Sequence, residues 1–183
     1  MRPARIGVVT ASDRASAGVY KDESGPAIEA WLTRTLTSPF AILRRIIPDG
    51  LESVRDTLLD LADKEHCDLI LTTGGTGPSA RDLTPEATEA VAHRHMPGFG
   101  ELMRAQSLKQ VPTAILSRQM AVTRGKCLII NLPGKPGSIA TCLNAIFAAV
   151  PYCLDLMEAA RMETDPAVLV AFRPGDSAPK KPG

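Results

Sequence analysis

The stretch Asp68–Pro78, DLILTTGGTGP, decides the fold class of this 183-residue chain. Its first six residues, DLILTT, contain a short aliphatic run, which is typical of a strand buried on both faces of a parallel sheet. The run passes directly into Gly74–Gly77, where three of four residues are glycine. Glycine tolerates positive φ angles, so such a loop lets backbone N–H groups converge on an anion. The stretch therefore predicts a buried strand followed by a phosphate-binding turn.

Aliphatic runs and amphipathic stretches alternate on both sides of this strand. Ile6–Ala11, Phe40–Pro48 and Lys126–Leu132 are the other predicted strands. Helices are predicted where apolar residues recur at 3.6-residue spacing, beginning at Ser24, Leu51, Thr84, Gly98, Ser138 and Tyr152. Ser24 and Thr84 are interpreted as N-caps. The alternation predicts a single three-layer α/β/α domain with a mostly parallel central sheet.

Composition places this domain at residues 1–172. Hydrophobic residues make up 44% of the chain and charged residues 22%, close to the globular average. Residues 173–183 are mostly Pro, Gly, Ser, Ala and Lys, a composition that predicts a flexible tail.

Charge and hydropathy exclude two classes of partner. The formal net charge is +1, so no broad basic surface is expected and no nucleic-acid partner is predicted. No apolar run approaches the ~20 residues that span a bilayer, so no membrane association is predicted. The N-terminal apolar stretch is too short for a signal peptide. The four cysteines lack metal-binding spacing and are interpreted as buried thiols, which favours a cytoplasmic location.

The candidate binding residues lie where ligands bind in open α/β sheets, beyond the carboxyl ends of the strands. The loops concerned are Thr10–Arg14, Pro48–Asp49, Gly74–Asp82 and Asn131–Ser138. Together with two residues from a Ser-Arg pair and one from a helix start, they supply the predicted substrate- and nucleotide-binding set: Ser12, Asp13, Arg14, Thr73, Gly74, Gly75, Thr76, Gly77, Thr84, Ser117, Arg118, Asn131, Pro133, Gly134, Lys135 and Ser138.

Two carboxylates strengthen the interpretation of the glycine loop. The loop is neither a P-loop nor a GxGxxG fingerprint, and taken alone it is equally well a tight turn. Asp82 follows it, and Asp49 stands at a neighbouring strand end. Alone, Asp49 is typical of a turn residue and Asp82 of a helix-start carboxylate. Taken with the loop, the pair is predicted to hold a magnesium ion against phosphate oxygens.

Other chemistries are not supported by the sequence. His93 and His95 stand two residues apart on a predicted helix, where they point to different faces and cannot share a metal. No GxSxG motif is present, and no cysteine has an evident histidine partner. Both histidines are therefore left out of the predicted site.

The motifs, in their order along the chain, resemble the bacterial molybdopterin adenylyltransferases of the MogA type, within the MoaB/Mog superfamily. The resemblance is carried by Ser12–Arg14, Thr72–Pro78 with Arg81-Asp82, Ala114–Arg118 and Asn131–Ser138. It runs from about residue 4 to residue 173.

The resemblance implies an α/β/α fold, a homotrimer and adenylylation of molybdopterin by Mg-ATP, with release of pyrophosphate. Asp49 and Asp82 match the acidic residues that the family requires for catalysis. Magnesium, with ATP as co-substrate, is the implied cofactor, and a molybdate-inserting transferase is an implied partner. A non-catalytic molybdopterin-binding or scaffold protein of the same fold is the alternative.

Overall fold

The computed structural model describes residues 2–175, which contain one six-stranded sheet in the order β2-β1-β3-β6-β5-β4. Neighbours from β2 to β6 are parallel, whereas β5 runs antiparallel to β6 and β4 antiparallel to β5. The strands are β1 Ala4–Ala11, β2 Phe40–Ile47, β3 Leu69–Thr73, β4 Arg94–His95, β5 Ala121–Arg124 and β6 Cys127–Leu132. The predicted mostly parallel sheet is confirmed, and β4 and β5 are additions that the sequence did not reveal.

Helices cover both faces of the sheet. They are α1 Asp13–Ser16, α2 Ser24–Thr35, α3 Leu51–Leu59, α4 Thr84–Val91, α5 Pro97–Leu108, α6 Pro136–Ile146 and α7 Val150–Leu156. Helix α3 continues as a π-helical turn over Asp60–Lys64, and a 3-10 helix spans Pro112–Leu116. Helix α7 ends at Leu156, five residues before Arg161, where the sequence predicted its end.

Two buried apolar clusters, one on each face of the sheet, explain why the central strands are continuous aliphatic runs. In β3, Leu69 and Leu71 enter one cluster and Ile70 enters the other. Successive strand side chains point to opposite faces, and both faces are covered here. The helices contribute the residues that periodicity predicts, with Ile28 and Leu32 in the first cluster and Val54, Leu58 and Leu61 in the second.

Three local predictions are wrong. Ser24 does not cap α2, because the carboxylate of Asp22 accepts the N–H groups of residues 24 and 25. Thr84 does not cap α4, since its Oγ1 is buried and has no hydrogen-bond partner within residues 2–175. His93 and His95 are not helical, because α4 ends at Val91 and His95 belongs to β4.

The cysteines are buried thiols, as expected, apart from Cys153, which is half-buried. Burial raises the pKa of Cys67 to about 11, so this thiol stays protonated near neutral pH. The two thiols nearest the sheet, Cys67 and Cys127, pack in the second apolar cluster. They act there as small apolar side chains.

The amino-terminal end of the sheet is fastened by a buried carboxylate. Asp68 is 2% exposed and accepts hydrogen bonds from the Arg2 guanidinium and from the backbone N–H groups of Arg5 and Ala160. These contacts join β1, β3 and the segment after α7. A fully hydrogen-bonded buried carboxylate of this kind holds the elements that surround it.

The described residues reach into the start of the predicted tail. Arg173 is 8% exposed and donates to Asp155, Glu163 and the Met162 carbonyl. Residues 176–183 of the predicted tail lie outside the described residues, and the domain boundary near residue 172 stays a prediction. Between residues 2 and 175 no single helix is long and apolar enough to cross a membrane, although α6 and α7, bent by 60°, together meet that length and composition test.

Candidate functional site

Parallel pairing of β2, β1, β3 and β6 brings the four predicted loops to one edge of the sheet. The Ser12 N–H donates to the Ile47 carbonyl at 2.9 Å, which joins the ends of β1 and β2. The Thr73 hydroxyl donates to the Pro133 carbonyl at 2.8 Å, which joins the ends of β3 and β6. The four loops therefore form one continuous surface.

The glycine loop needs glycine at its first two positions. Gly74 and Gly75 have φ angles of +94° and +64°, which other residues adopt only at a cost in free energy. A Cβ atom on Gly74 would overlap the Ala11 carbonyl oxygen, and one on Gly75 would overlap the Thr84 hydroxyl. Glycine at these two positions therefore lets the loop pack directly against the end of β1 and the start of α4. That its N–H groups bind phosphate stays a prediction.

Two hydrogen bonds join Asp13 and Asp49, which follow the ends of β1 and β2. The Asp13 N–H donates to Asp49 Oδ2 at 2.9 Å, and the Asp49 N–H donates to Asp13 Oδ1 at 3.1 Å. Arg81 then donates to both carboxylate oxygens of Asp13. These hydrogen bonds lower the pKa of Asp13, so its carboxylate is charged and already paired before any ligand binds.

Asp49 is the carboxylate whose proton affinity is raised. Desolvation is the largest cause of its raised pKa, and the negative charges of Asp13 and Asp82 add to it. Among the described residues Asp49 Oδ1 has no donor, and it lies 3.3 Å from the position of a Cβ on Gly75. A desolvated carboxylate beside two like charges gains from a cation placed between them.

Asp82 stands on the other side of the glycine loop. Its Oδ2 accepts the Ser79 N–H at 3.1 Å and lies 2.8 Å from the position of a Cβ on Gly77. Within residues 2–175 no group of three or more His, Cys, Asp or Glu side chains is placed to hold a metal ion. Mg²⁺ commonly binds to one or two carboxylates, substrate phosphates and water. Asp49 and Asp82 fit that pattern and would leave the remaining positions to a ligand.

Arg118 does not face the ligand surface as a free cation. Its guanidinium donates to the Gly77 carbonyl at 3.0 Å, to the Asp82 carbonyl at 2.5 Å and to the Glu86 carboxylate. The hydrogen bond from Arg118 lowers the pKa of Glu86. The Arg118 guanidinium therefore binds groups of the glycine loop, Asp82 and α4. The sequence had suggested that it contacts a phosphate of the ligand.

Ser117 lies at a cavity of about 250 Å³ beside the glycine loop. Its Oγ is 2.9 Å from Gln119 Oε1 and 3.2 Å from Thr76 Oγ1. Because the amide oxygen only accepts, Ser117 donates to Gln119. The Thr76 hydroxyl proton is left for Ser117 Oγ or a ligand. Further lining residues of this cavity are Gly77, Ser107, Gln110, Thr113, Pro133, Lys135, Ser138 and Thr141.

A second, smaller cavity of about 160 Å³ lies across the glycine loop, between β1 and α2. Ser12 and Asp22 are among the residues that line it, and Ser12 Oγ also accepts the Ala15 N–H as the cap of α1. The Arg14 guanidinium lies 5.6 Å from the centre of the Tyr20 ring, a cation–π distance. The strand ends thus offer two adjoining cavities on either side of one glycine loop.

Two predicted binding residues support the site from beneath it. Asn131 is fully buried, and its Nδ2 donates to the hydroxyls of Thr72 and Thr88. The hydroxyl proton of Thr73 is taken by Pro133. The side chains of Asn131 and Thr73 therefore connect β3 to β6, and Asn131 also to α4, and they do not present donors at the surface.

Three residues of this region escaped the sequence analysis. Asp22 accepts from the Thr10 hydroxyl and the Arg44 guanidinium; burial alone would raise its pKa, but these bonds and the Gly25 N–H outweigh it and lower the pKa. The sequence analysis named Arg81 only as part of the Arg81-Asp82 motif and gave it no role. Gln119, which follows the Ser117-Arg118 pair, was not among the predicted residues. Asp22 did have a local signal, because an acidic residue two positions before Ser24 is a candidate cap for α2. The contacts of Arg81 are with Asp13 and Asp49, which are distant along the chain and give no such signal.

Fold and site together define a class: an α/β/α domain whose strand ends present a glycine loop, two carboxylates and adjoining cavities for a phosphate-bearing ligand. The chain belongs to the family described as probable molybdopterin binding domain, whose model matches residues 7–152. This match confirms the family resemblance seen in the motifs.

Within this family, the chain is similar to molybdopterin adenylyltransferases. It is 54% identical to that of Escherichia coli (strain K12), with 95% of each chain covered. It is 53% identical to that of Helicobacter pylori (strain ATCC 700392 / 26695), with 95% of this chain and 99% of the relative covered. The crystal structure of the molybdopterin biosynthesis enzyme MoaB from Thermus thermophilus matches with a TM-score of 0.79 at 38% identity, covering 87% of this chain and 99% of that one.

Proposed function

We propose that the chain is a molybdopterin adenylyltransferase of molybdenum cofactor biosynthesis. It transfers AMP from ATP to the phosphate of molybdopterin and releases pyrophosphate. The observation that carries the proposal is the pair Asp49 and Asp82, whose carboxylates lie beside Gly75 and Gly77 of the glycine loop at the strand ends. Near-full-length similarity to two named adenylyltransferases supports the same reaction.

The chemistry requires positioning and charge neutralisation. A phosphate monoester dianion is already a nucleophile, so the barrier falls chiefly by aligning it with the α-phosphorus of ATP and by neutralising the triphosphate. Asp49 and Asp82 would hold a Mg²⁺ ion, which would supply that neutralisation. The Gly74–Gly77 backbone holds phosphate oxygens, and Lys135 adds a positive charge beside the α6 N-terminus.

The two cavities suit two ligands that meet at the glycine loop. The larger one is lined by hydroxyl and amide groups, including Thr76, Ser117 and Gln119, which fit the donors and acceptors of a pterin. The smaller one includes Ser12 and Gly74 and lies beside the same loop. We assign the larger cavity to molybdopterin, with Ser138 and Lys135 at its edge.

Further properties belong to this proposal. The metal is Mg²⁺, the enzyme acts as a homotrimer in the cytoplasm, and its product passes to a molybdate-inserting transferase. No nucleic acid and no membrane take part. The catalytic domain is residues 1–172.

The test is pyrophosphate release from Mg-ATP by purified protein, with and without anaerobically prepared molybdopterin. Asp82→Asn is expected to cut turnover by ~100-fold, which corresponds to ~2.7 kcal/mol of barrier, while the urea unfolding midpoint stays unchanged. Binding of molybdopterin without pyrophosphate release would favour the non-catalytic scaffold instead. An Asp82→Asn variant of normal turnover would remove the metal role.

A further inference from the structure

The two carboxylates of the site share a feature of their main chains. The Asp49 carbonyl accepts a hydrogen bond from Arg81 at 2.7 Å, and the Asp82 carbonyl accepts one from Arg118 at 2.5 Å. Arg81 thus fixes the main chain at Asp49, and Arg118 fixes the main chain at Asp82. Neither guanidinium donates to the carboxylate of Asp49 or Asp82 within the described chain.

Each arginine also has its own counter-charge. Arg81 forms a two-pronged pair with Asp13, and Arg118 pairs with Glu86. Arg118 has a further acceptor in the Gly77 carbonyl. Because the charge of each arginine is already paired with a carboxylate, these arginines are poorly placed to neutralise phosphate. A rigid guanidinium is, however, well suited to fix several acceptors at once.

A hydrogen bond that holds a carbonyl in place restricts the direction of the Cα–Cβ bond of the same residue. Only one dihedral angle, ψ, separates the carbonyl from that bond. By binding the carbonyls of Gly77 and Asp82, the Arg118 guanidinium narrows the directions that the Asp82 side chain can take relative to the loop. Arg81 does the same for Asp49, which lies beside Gly75.

We propose that Arg81 and Arg118 are positioning residues, which orient Asp49 and Asp82 through their main-chain carbonyls and do not bind phosphate themselves. This inference rests on the function proposed above, since it concerns the same two carboxylates. It assigns Glu86 a part as well, because its carboxylate forms an ion pair with Arg118.

The decisive variants are Arg118→Lys and Arg81→Lys, because lysine keeps the charge and cannot span the same acceptors. A misplaced carboxylate is expected to lower kcat by ~10- to 100-fold, with KM for ATP changed by less than about twofold. The Mg²⁺ concentration that gives half-maximal activity is expected to rise by a similar factor. A rise in KM with kcat unchanged would overturn the proposal and make the arginine a phosphate ligand.

A double-mutant test links Glu86 to Arg118. Glu86→Gln is expected to lower kcat in the same sense as Arg118→Lys and by a smaller factor. The double variant is expected to be no slower than Arg118→Lys alone, because both changes act through one guanidinium. Multiplying effects would show that Glu86 acts by another route, and would remove it from the proposal.

The matched control is Arg124→Lys. Arg124 also pairs with a carboxylate, Asp63, and donates to a carbonyl, that of Val91, but it lies at the opposite end of the sheet. Its loss is expected to lower the unfolding midpoint about as much as Arg118→Lys does and to leave kcat unchanged. An equal fall in kcat would mean that Arg118 acts only through general stability.

Binding of Mn²⁺ in the presence of ATP, followed by electron paramagnetic resonance, separates failure of this proposal from failure of the function. If the parent protein releases no pyrophosphate but binds Mn²⁺ with ATP, the proposed reaction fails and the positioning role is read from Mn²⁺ affinity. Arg118→Lys should then weaken that affinity ~10-fold, and Arg124→Lys should not. A parent protein that binds no Mn²⁺ with ATP would refute both.

Discussion

Substitution of Gly75 by alanine tests whether the glycine loop is shaped by steric necessity. Gly75 has a φ angle of +64°, and an alanine in the left-handed region costs ~1–2 kcal/mol. Its Cβ would also overlap the buried Thr84 hydroxyl, and overpacking of this kind adds ~1–3 kcal/mol. We therefore expect Gly75→Ala to lower the free energy of unfolding by ~2–5 kcal/mol.

A second substitution separates the two contributions. The Thr84 hydroxyl is buried and has no hydrogen-bond partner in the part of the chain that the structure describes, so Thr84→Ala alone is expected to cost little. In Gly75→Ala/Thr84→Ala the overlap disappears and only the backbone strain remains. The double variant should therefore recover ~1–3 kcal/mol relative to Gly75→Ala.

The assay is urea unfolding at fixed protein concentration, followed by circular dichroism. The control is Gly98→Ala, because Gly98 lies in α5 and a Cβ there meets nothing within 4 Å. That change should leave stability equal or raise it by up to ~1 kcal/mol. If Gly75→Ala unfolds within ~0.5 kcal/mol of the parent, the loop is not sterically determined and the reasoning fails.

Three further predictions concern the residues that hold the site in place. Because folding lowers the pKa of Asp22, its carboxylate stabilises the fold at pH values above its unfolded pKa, and this stability is lost as the pH falls through the folded pKa. The loss of stability in Asp22→Asn should therefore become smaller below about pH 4. A difference in urea unfolding that does not change with pH would contradict this. Phe147 is fully buried and edge-on to Trp31 at 4.8 Å, so Phe147→Ala should cost ~3–5 kcal/mol and Phe147→Leu clearly less, with equal losses counting against cavity formation. Asn131→Leu leaves the hydroxyls of two threonines without their shared donor and should destabilise the fold by ~1–3 kcal/mol, an effect that thermal unfolding detects and whose absence would argue against the buried role.

The parallel core was predictable because its signal is local. Runs such as Ile6–Ala11 and Leu69–Thr73 contain no charged residue and are mostly aliphatic, a pattern typical of a strand covered on both faces. Strands of this kind, alternating with helices, place their carboxyl ends together by topology alone. The meeting of the four loops, with Asp49 and Asp82 among them, could therefore be derived before any coordinates.

The antiparallel edge was not predictable, because its strands depend on their partners. β4 has two residues and β5 has four, too few for periodicity to register. Arg94 and His95 are extended since they pair with Thr123 and Val122. The sequence wrongly predicted a helix there because no glycine or proline, the residues that commonly end a helix, directly follows Val91.

Individual side-chain roles were the least predictable part of the site. Arg118 stands in a Ser-Arg pair that resembles an anion contact, yet its donors go to Glu86 and to carbonyls more than 30 residues away. Ser24 has the right position for a cap, but its hydroxyl donates to the Gly134 carbonyl. Such choices depend on which groups tertiary packing brings within reach, and no spacing along the chain reports that.

The set of contacts around Asp68 has a practical consequence for handling the protein. Arg2 is tied there, at the start of β1, whereas Ser12 at the other end of the same strand borders the ligand loops. Eight strand residues separate the two ends by roughly 25 Å. A fluorophore or surface tether joined at the Arg2 end would therefore report on the molecule without obstructing its substrates.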